Sequence, residues 1–141
     1  MKSRKNRILD ICGRYSADEL RQLDSYAASK GIELIPCIQT LAHLSGALRW
    51  PEYFSCTDVN DILLAEDERT YVLIENMFRA CSECFQSRDI NIGMDEAHMV
   101  GLGKYLDLHG YKNRHEILIK HLERVCEIAD KYGFKPMMWS D

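Results

Sequence analysis

Asp95 and Glu96 are adjacent carboxylates at the end of Ile90-Asn91-Ile92-Gly93-Met94, with His98 two residues further on. The run alternates between apolar and small or polar residues and is preceded by charged Arg88 and Asp89, which is the pattern of a short strand. A carboxylate pair at a strand end is equipped for acid–base chemistry on a ligand held at that edge. If the strand is one of several parallel strands separated by helices, its carboxyl end is the edge where such folds place their ligands. Set against this is a solvated Asp-Glu pair in an ordinary strand-to-helix loop. Neighbouring residues at a strand end point to different sides, so Asp95 and Glu96 are not expected to face each other across one ligand.

The elements that must position this pair follow from periodicity. Ser16-Ala17-Asp18-Glu19 is a capping box that opens a helix running to about Ser29, with Leu20, Leu23, Tyr26 and Ala27 on one face and Gly31 placed to stop it. Ile32 to Ile38 is a mostly apolar run that suits a strand covered on both faces, although Pro36 argues for an edge or bulged position. Leu41 to Asp61 has little periodicity and reads as a long loop with one helical turn; its His43, Trp50 and Tyr53 favour a functional role. From about Glu66 to Phe85, Tyr71, Ile74, Met77, Phe78 and Cys81 recur three and four apart, the mark of a long amphipathic helix. After the acid pair, Ala97 to Lys112 is a second loop with Gly101, Gly103 and Gly110, suited to a backbone that closes over something. Asn113-Arg114-His115-Glu116 then starts a helix whose inner face carries Ile117, Leu118, His121, Leu122, Val125, Ile128 and Ala129, ending at Gly133. Pro136 to Trp139 is a third strand, closing with an acid at Asp141.

Strict alternation of helix and apolar strand predicts an α/β fold with a parallel sheet and right-handed crossovers. The long insertions follow the strands, the side on which a (β/α)8 TIM barrel carries its active-site loops. Such a barrel takes roughly 250 residues, and this chain has 141. Three strands cannot close, so the expectation is about half a barrel, a portion of a larger domain with open edges.

Composition narrows the functional classes. A chain 46% hydrophobic and 28% charged is expected to fold as one soluble domain. A net charge of -4 offers no electrostatic footprint for nucleic acid, and Lys2, Arg4, Lys5 and Arg7 read as a solvated basic terminus. No apolar run approaches the ~20 residues of a membrane span and no secretory signal is evident, so the cytoplasm is the expected compartment. The six cysteines are scattered and read as free thiols, including the C-x-x-C of Cys81 and Cys84, which lies in a helical pattern without a second pair at zinc-ribbon spacing.

Three motifs carry a family resemblance. Asn91-Ile92-Gly93-Met94-Asp95-Glu96-Ala97 resembles the strand-four signature of family 20 glycoside hydrolases, the β-N-acetylhexosaminidases. Ile35-Pro36-Cys37-Ile38-Gln39-Thr40-Leu41-Ala42-His43 resembles the strand-three segment of a bacterial branch, and Met137-Met138-Trp139-Ser140-Asp141 its strand-five end. The likeness runs from about Gly13 to the last residue, with the motifs in order.

The resemblance implies a retaining exo-hydrolase that removes terminal β-linked N-acetylglucosamine or N-acetylgalactosamine by substrate-assisted catalysis. Glu96 would be the general acid and later the base; Asp95 would orient the substrate's 2-acetamido group, whose carbonyl oxygen is the nucleophile. Gln39, His43, His98, Trp139 and Asp141 would contact the substrate, with Trp139 walling the acetamido pocket. The reading requires no cofactor and no metal; its partner is a glycan or glycoconjugate bearing N-acetylhexosamine. More familiar members carry an aspartate and a Pro-Gly before the strand-three histidine, where this chain has Gln39 and Leu41-Ala42. The family's strand-one arginine and its later tyrosine and tryptophan contacts have no counterpart in these residues, so little or no hydrolysis is expected of this segment alone. Two other readings compete: a metal-dependent hydrolase with Asp95, Glu96, His98 and His43 as ligands, and a non-catalytic half-barrel that self-associates through its open edges.

Overall fold

The structure, a computed structural model, describes residues 15–139. Lys2, Arg4, Lys5, Arg7, Cys12 and Asp141 lie outside the described residues, and the expectations placed on them have no structural counterpart. Helix α1 spans Ala17–Ser29, α2 Ser45–Leu48, α3 Glu68–Cys84, α4 Lys104–His109 and α5 Arg114–Lys131. The strands are β1 (Thr57–Val59), β2 (Ile62–Leu63), β3 (Asp89–Asn91) and β4 (Lys135–Met137). None of these helices is long and apolar enough to cross a membrane.

The sheet that matters is parallel and centred on β3. On one side β4 pairs in the register Asp89–Lys135, Ile90–Pro136 and Asn91–Met137. On the other, Pro36 to Thr40 runs alongside: the Asn91 N–H donates to the Pro36 carbonyl at 2.9 Å, Ile38 N–H to the Asn91 carbonyl at 2.8 Å, and Thr40 N–H to the Ile92 carbonyl at 3.2 Å. The strand expected over Ile32 to Ile38 is therefore displaced toward its C-terminal end. Ile32 and Ile35 are exposed, and ladder pairing begins only at Pro36, whose carbonyl can accept although its nitrogen cannot donate.

Coverage of both sheet faces is not what the structure shows. In β3 and its extension Ile90 and Ile92 are fully buried while Asp89 and Asn91 are half-buried. The buried face packs with the helical layer, in which α3 touches both α1 and α5. Ile74, Phe78, Ile117 and Val125 fill the core between them. A run of apolar residues in sequence thus overstates burial, because side chains alternate across a strand.

Helix boundaries follow local chemistry. Ser16 caps α1 in a complete capping box with Glu19, as its spacing predicts. Asp67 caps α3 and Asn113 caps α5, each accepting from the N–H two residues on. Gly133, at φ 71°, ends the last helix region in the left-handed conformation that favours glycine. In α1, however, Leu23 and Tyr26 are exposed and Asp24 is buried, accepting from the backbone and side-chain N–H groups of Gln86. Of the predicted apolar face Ala27 is buried and Leu20 half-buried, and a polar tether through Asp24 adds to them where periodicity predicts Leu23 and Tyr26.

The two expected loops carry structure of their own. Leu41 to Asp61 contains α2, a 3-10 helix over Pro51–Cys56 and the first strand of the antiparallel β1–β2 hairpin, in which Asn60 takes φ 52°. Ala97 to Lys112 contains α4. Asp58 joins the two insertions: its buried carboxylate accepts from Gly101 N–H at 2.6 Å and Tyr105 N–H at 2.8 Å. A Cβ at Gly103 would stand 2.3 Å from the Asp58 carbonyl, and one at Gly101 2.4 Å from Ile117. Gly101 and Gly103 thus serve internal packing, whereas a Cβ at Gly110 would meet nothing within 4 Å.

Candidate active site at the end of the parallel strands

Gly93 is where three chain segments meet. Its carbonyl accepts from the Trp139 N–H at 3.2 Å, and its N–H donates to the Asn91 side chain at 2.8 Å. A Cβ there would lie 2.0 Å from the Gln39 Oε1, so the strand-three glutamine occupies space that only glycine leaves open. The φ of 71° at Gly93 and 76° at Met94 turns the backbone away from extended geometry, and Glu96 follows at φ 52°. His43, at φ 61°, is likewise in the left-handed region. Left-handed non-glycine residues are uncommon and concentrate where a site must be held in a particular shape; His43, Met94 and Glu96 form such a group here.

The backbone turn decides where the carboxylates point. The Gln39 Nε2 donates to Asp95 Oδ1 at 3.3 Å, and the His43 Nε2 lies 3.3 Å from Asp95 Oδ2 and 3.6 Å from Glu96 Oε2. Both acids therefore converge on one imidazole nitrogen. The expectation that they emerge on opposite sides is corrected, because strict alternation holds for extended residues and Glu96 is not one. Their environments still differ. The Asp95 side chain is 23% exposed and held from two directions, whereas that of Glu96 is 64% exposed and projects from the rim.

The remaining predicted residues divide. Trp139 stands at the end of the β4 side, 53% exposed, with its backbone bonded to Gly93. His98 donates its N–H to the Glu96 carbonyl at 2.7 Å, but its ring meets Arg114, with 3.4 Å between Arg114 Nη1 and Nδ1. Gln39, His43, Asp95, Glu96 and Trp139 are thus gathered around Gly93, and His98 sits one step outside them.

Beneath the site lies a polar layer of which sequence reasoning marked only His121, and that as part of a helix's inner face. His121 is fully buried; its Nε2 donates to the Thr40 carbonyl at 2.8 Å, leaving Nδ1 to accept from the Tyr71 hydroxyl at 3.3 Å. The Tyr71 oxygen in turn accepts from the Glu66 N–H at 3.1 Å. Thr40 also donates its hydroxyl to the Ile92 carbonyl at 2.9 Å, which ties the residue after Gln39 to the residue before Gly93. Burial presses the His121 pKa down to about 4, so the ring is neutral near pH 7. Hydrogen bonding from Tyr105 holds the Glu66 carboxyl below its usual range.

Among the described residues no group of three or more His, Cys, Asp or Glu is disposed to hold a metal ion. The five described cysteines are free, and burial pushes the Cys81 thiol up to about 11, well away from a reactive thiolate.

The described residues are a mixed helix–strand chain with a paired acid at the end of parallel strands, and comparison with known proteins gives the chain a family. The chain belongs to glycosyl hydrolase family 20, matching the model of its catalytic domain over residues 1–141. Among solved structures it resembles a β-N-acetylhexosaminidase at 18% identity and a TM-score of 0.77, covering 91% of this chain and 31% of that one. A Flavobacterium johnsoniae chitobiase matches at 20% identity and TM-score 0.76, over 98% of this chain and 24% of that one. A mutant Streptomyces plicatus β-hexosaminidase in complex with its product GlcNAc matches at 22% identity and TM-score 0.71, over 89% and 25%. The chain thus spans about a quarter to a third of the length of these relatives in fold.

Proposed function

We propose that this chain is the strand-three to strand-five part of a (β/α)8 barrel that removes terminal β-linked N-acetylhexosamine from a glycan or glycoconjugate by substrate-assisted, retaining catalysis. The observation that carries the reading is the convergence of Asp95 and Glu96 on His43, with Gln39 bonded to Asp95. The half-buried face of β3, with Asn91, fits the interior of a barrel whose other strands complete it.

In this mechanism Asp95, held by Gln39 and His43, accepts the acetamido N–H and turns the amide so that its carbonyl oxygen attacks C1. The C1–O bond to the leaving group breaks as Glu96 gives its proton to the glycosidic oxygen, and the sugar closes into a five-membered oxazolinium ring. Glu96, now a carboxylate, takes a proton from water as the water oxygen attacks C1 and the ring reopens, restoring β configuration and the protonated acid. Trp139 offers an exposed indole face to the acetamido methyl. The greater exposure of Glu96 suits the group that must reach a glycosidic oxygen, and the firmer hold on Asp95 suits the one that must stay still.

The test is titration of the chain with a thiazoline analogue of the cyclised sugar, alongside hydrolysis of a chromogenic β-N-acetylglucosaminide. Binding that weakens tenfold or more in Asp95→Ala, with little or no turnover by the segment alone, is expected, since a charged hydrogen bond to the ring nitrogen contributes about 1.5–3 kcal/mol. Absence of binding, or binding indifferent to Asp95→Ala, overturns the proposal.

A further inference from the structure

We propose that His121, buried behind the site, is a positioning residue: its bond to the Thr40 carbonyl sets the direction in which the chain leaves the parallel sheet, and so holds His43 against Asp95 and Glu96. The proposal rests on the glycosidase reading and adds to it a residue that touches no substrate.

The run that pairs with β3 loses its regular register where the site begins. Cys37 stands opposite Asn91, whose N–H donates to the Pro36 carbonyl and whose carbonyl accepts from the Ile38 N–H. Evenly spaced parallel bonds would next carry the Thr40 N–H to the Gly93 carbonyl and the Gly93 N–H to the Ile38 carbonyl. Instead the Gly93 carbonyl is taken by Trp139 and its N–H by the Asn91 side chain, while the Thr40 N–H and hydroxyl both turn to Ile92. The Thr40 carbonyl is thereby left in the core. Thr40 is 0% exposed, and among the described residues the donor to its carbonyl is the equally buried His121, at 2.8 Å. A buried carbonyl needs a donor, so the peptide joining Thr40 to Leu41 takes the orientation that the imidazole allows.

His43 lies on the short arm that this peptide aims. The Leu41 carbonyl accepts from the Leu63 N–H at 2.8 Å and the Leu44 N–H donates to the Asp61 carbonyl at 3.2 Å, so His43, at φ 61°, is bent between two held ends. A swing of the Thr40–Leu41 peptide is passed to it. Its Nε2 stands 3.3 Å from Asp95 and 3.6 Å from Glu96, at the far end of bonding range, where a small shift decides whether the contact persists. The imidazole of His121 is fixed from its other side as well. The Tyr71 hydroxyl donates to Nδ1 at 3.3 Å, which leaves Nε2 to carry the proton toward Thr40, and the Glu66 N–H on the Tyr71 oxygen at 3.1 Å directs that hydroxyl.

Titration of the chain with the thiazoline, with urea unfolding alongside, separates positioning from packing. Leucine fills the His121 space without a donor, asparagine keeps a partner for Tyr71 but stops short of Thr40, and glutamine reaches Thr40 with an N–H. Affinity is expected to fall about tenfold in His121→Leu and His121→Asn and to stay within about twofold in His121→Gln, whatever the changes in stability. In a His43→Ala background the same substitutions should change affinity by less than about twofold, because the group they displace is gone. The His43 ring signals of the free protein should move in the leucine and asparagine variants and hold still in His121→Gln. Where His121→Leu does not fold, His121→Asn carries the test. Unchanged affinity in the donorless variants, an equal loss in His121→Gln, or a loss that persists in full in His43→Ala overturns the proposal and leaves the glycosidase reading standing. Absence of thiazoline binding by the unsubstituted chain removes both.

Discussion

At the scale of single residues the site depends on a hydrogen atom. Gly93 has no Cβ, and that absence lets the Gln39 amide lie against the backbone and bond to Asp95. Replacing Gly93 with Ala puts a methyl 2.0 Å from Gln39 Oε1 at a φ of 71° that L residues rarely adopt. The combined strain is expected to cost about 1–3 kcal/mol of stability. More tellingly, it pushes Gln39 off Asp95, so thiazoline affinity should fall further than in Gln39→Ala, which removes one hydrogen bond and leaves the turn intact. Chemical denaturation alongside ligand titration measures both. A Gly93→Ala protein with unaltered affinity would show that the Gln39–Asp95 contact has no part in holding the site.

At the scale of elements, a buried layer joins α5 and α3 to the segment that carries Gln39. His121 is neutral because burial disfavours its charged form, with a folded pKa of about 4 against an ordinary 6.5. An unfolded chain takes up this proton below pH 6.5 and the folded chain does not until about pH 4. The contribution of His121 is therefore complete above pH 6.5 and declines as pH falls toward 4, by up to about 1.4 kcal/mol per pH unit. Urea unfolding at pH 7, 6, 5 and 4.5 should show this slope, and His121→Gln, which cannot titrate there, should flatten it. Equal slopes in the two proteins would place the acid sensitivity elsewhere.

How far the sequence discloses these elements follows from the range of the forces involved. Caps are local, so Ser16, Asn113 and the glycine at 133 mark helix ends without knowledge of the fold. The amphipathic faces of α3 and α5 are legible for the same reason, and His121 appears on its helix face. The partners of Asp24, Asp58 and His121 are not, because each lies 40 or more residues away in the chain. The β1–β2 hairpin escapes because Thr57–Val59 and Ile62–Leu63 are too short for alternation to register. Within the site, Asp95 and Glu96 stand out by type and position, whereas their shared orientation toward His43 depends on left-handed residues that periodicity does not reveal.

At the scale of the whole molecule, the described residues form three parallel runs with helices on one face and a half-open face that carries Asn91, close to Gln39. That arrangement puts Gln39, His43, Asp95, Glu96 and Trp139 on one rim. The central claim is that this rim recognises an acetamido group, not merely a sugar ring. NMR titration of the chain with N-acetylglucosamine and, separately, with glucose tests it most directly. The account predicts saturable shifts of the Trp139 indole and His43 ring signals with N-acetylglucosamine, lost in Asp95→Ala, and none with glucose at the same concentration. Equal responses to the two sugars, or a response to N-acetylglucosamine that survives Asp95→Ala, would contradict it.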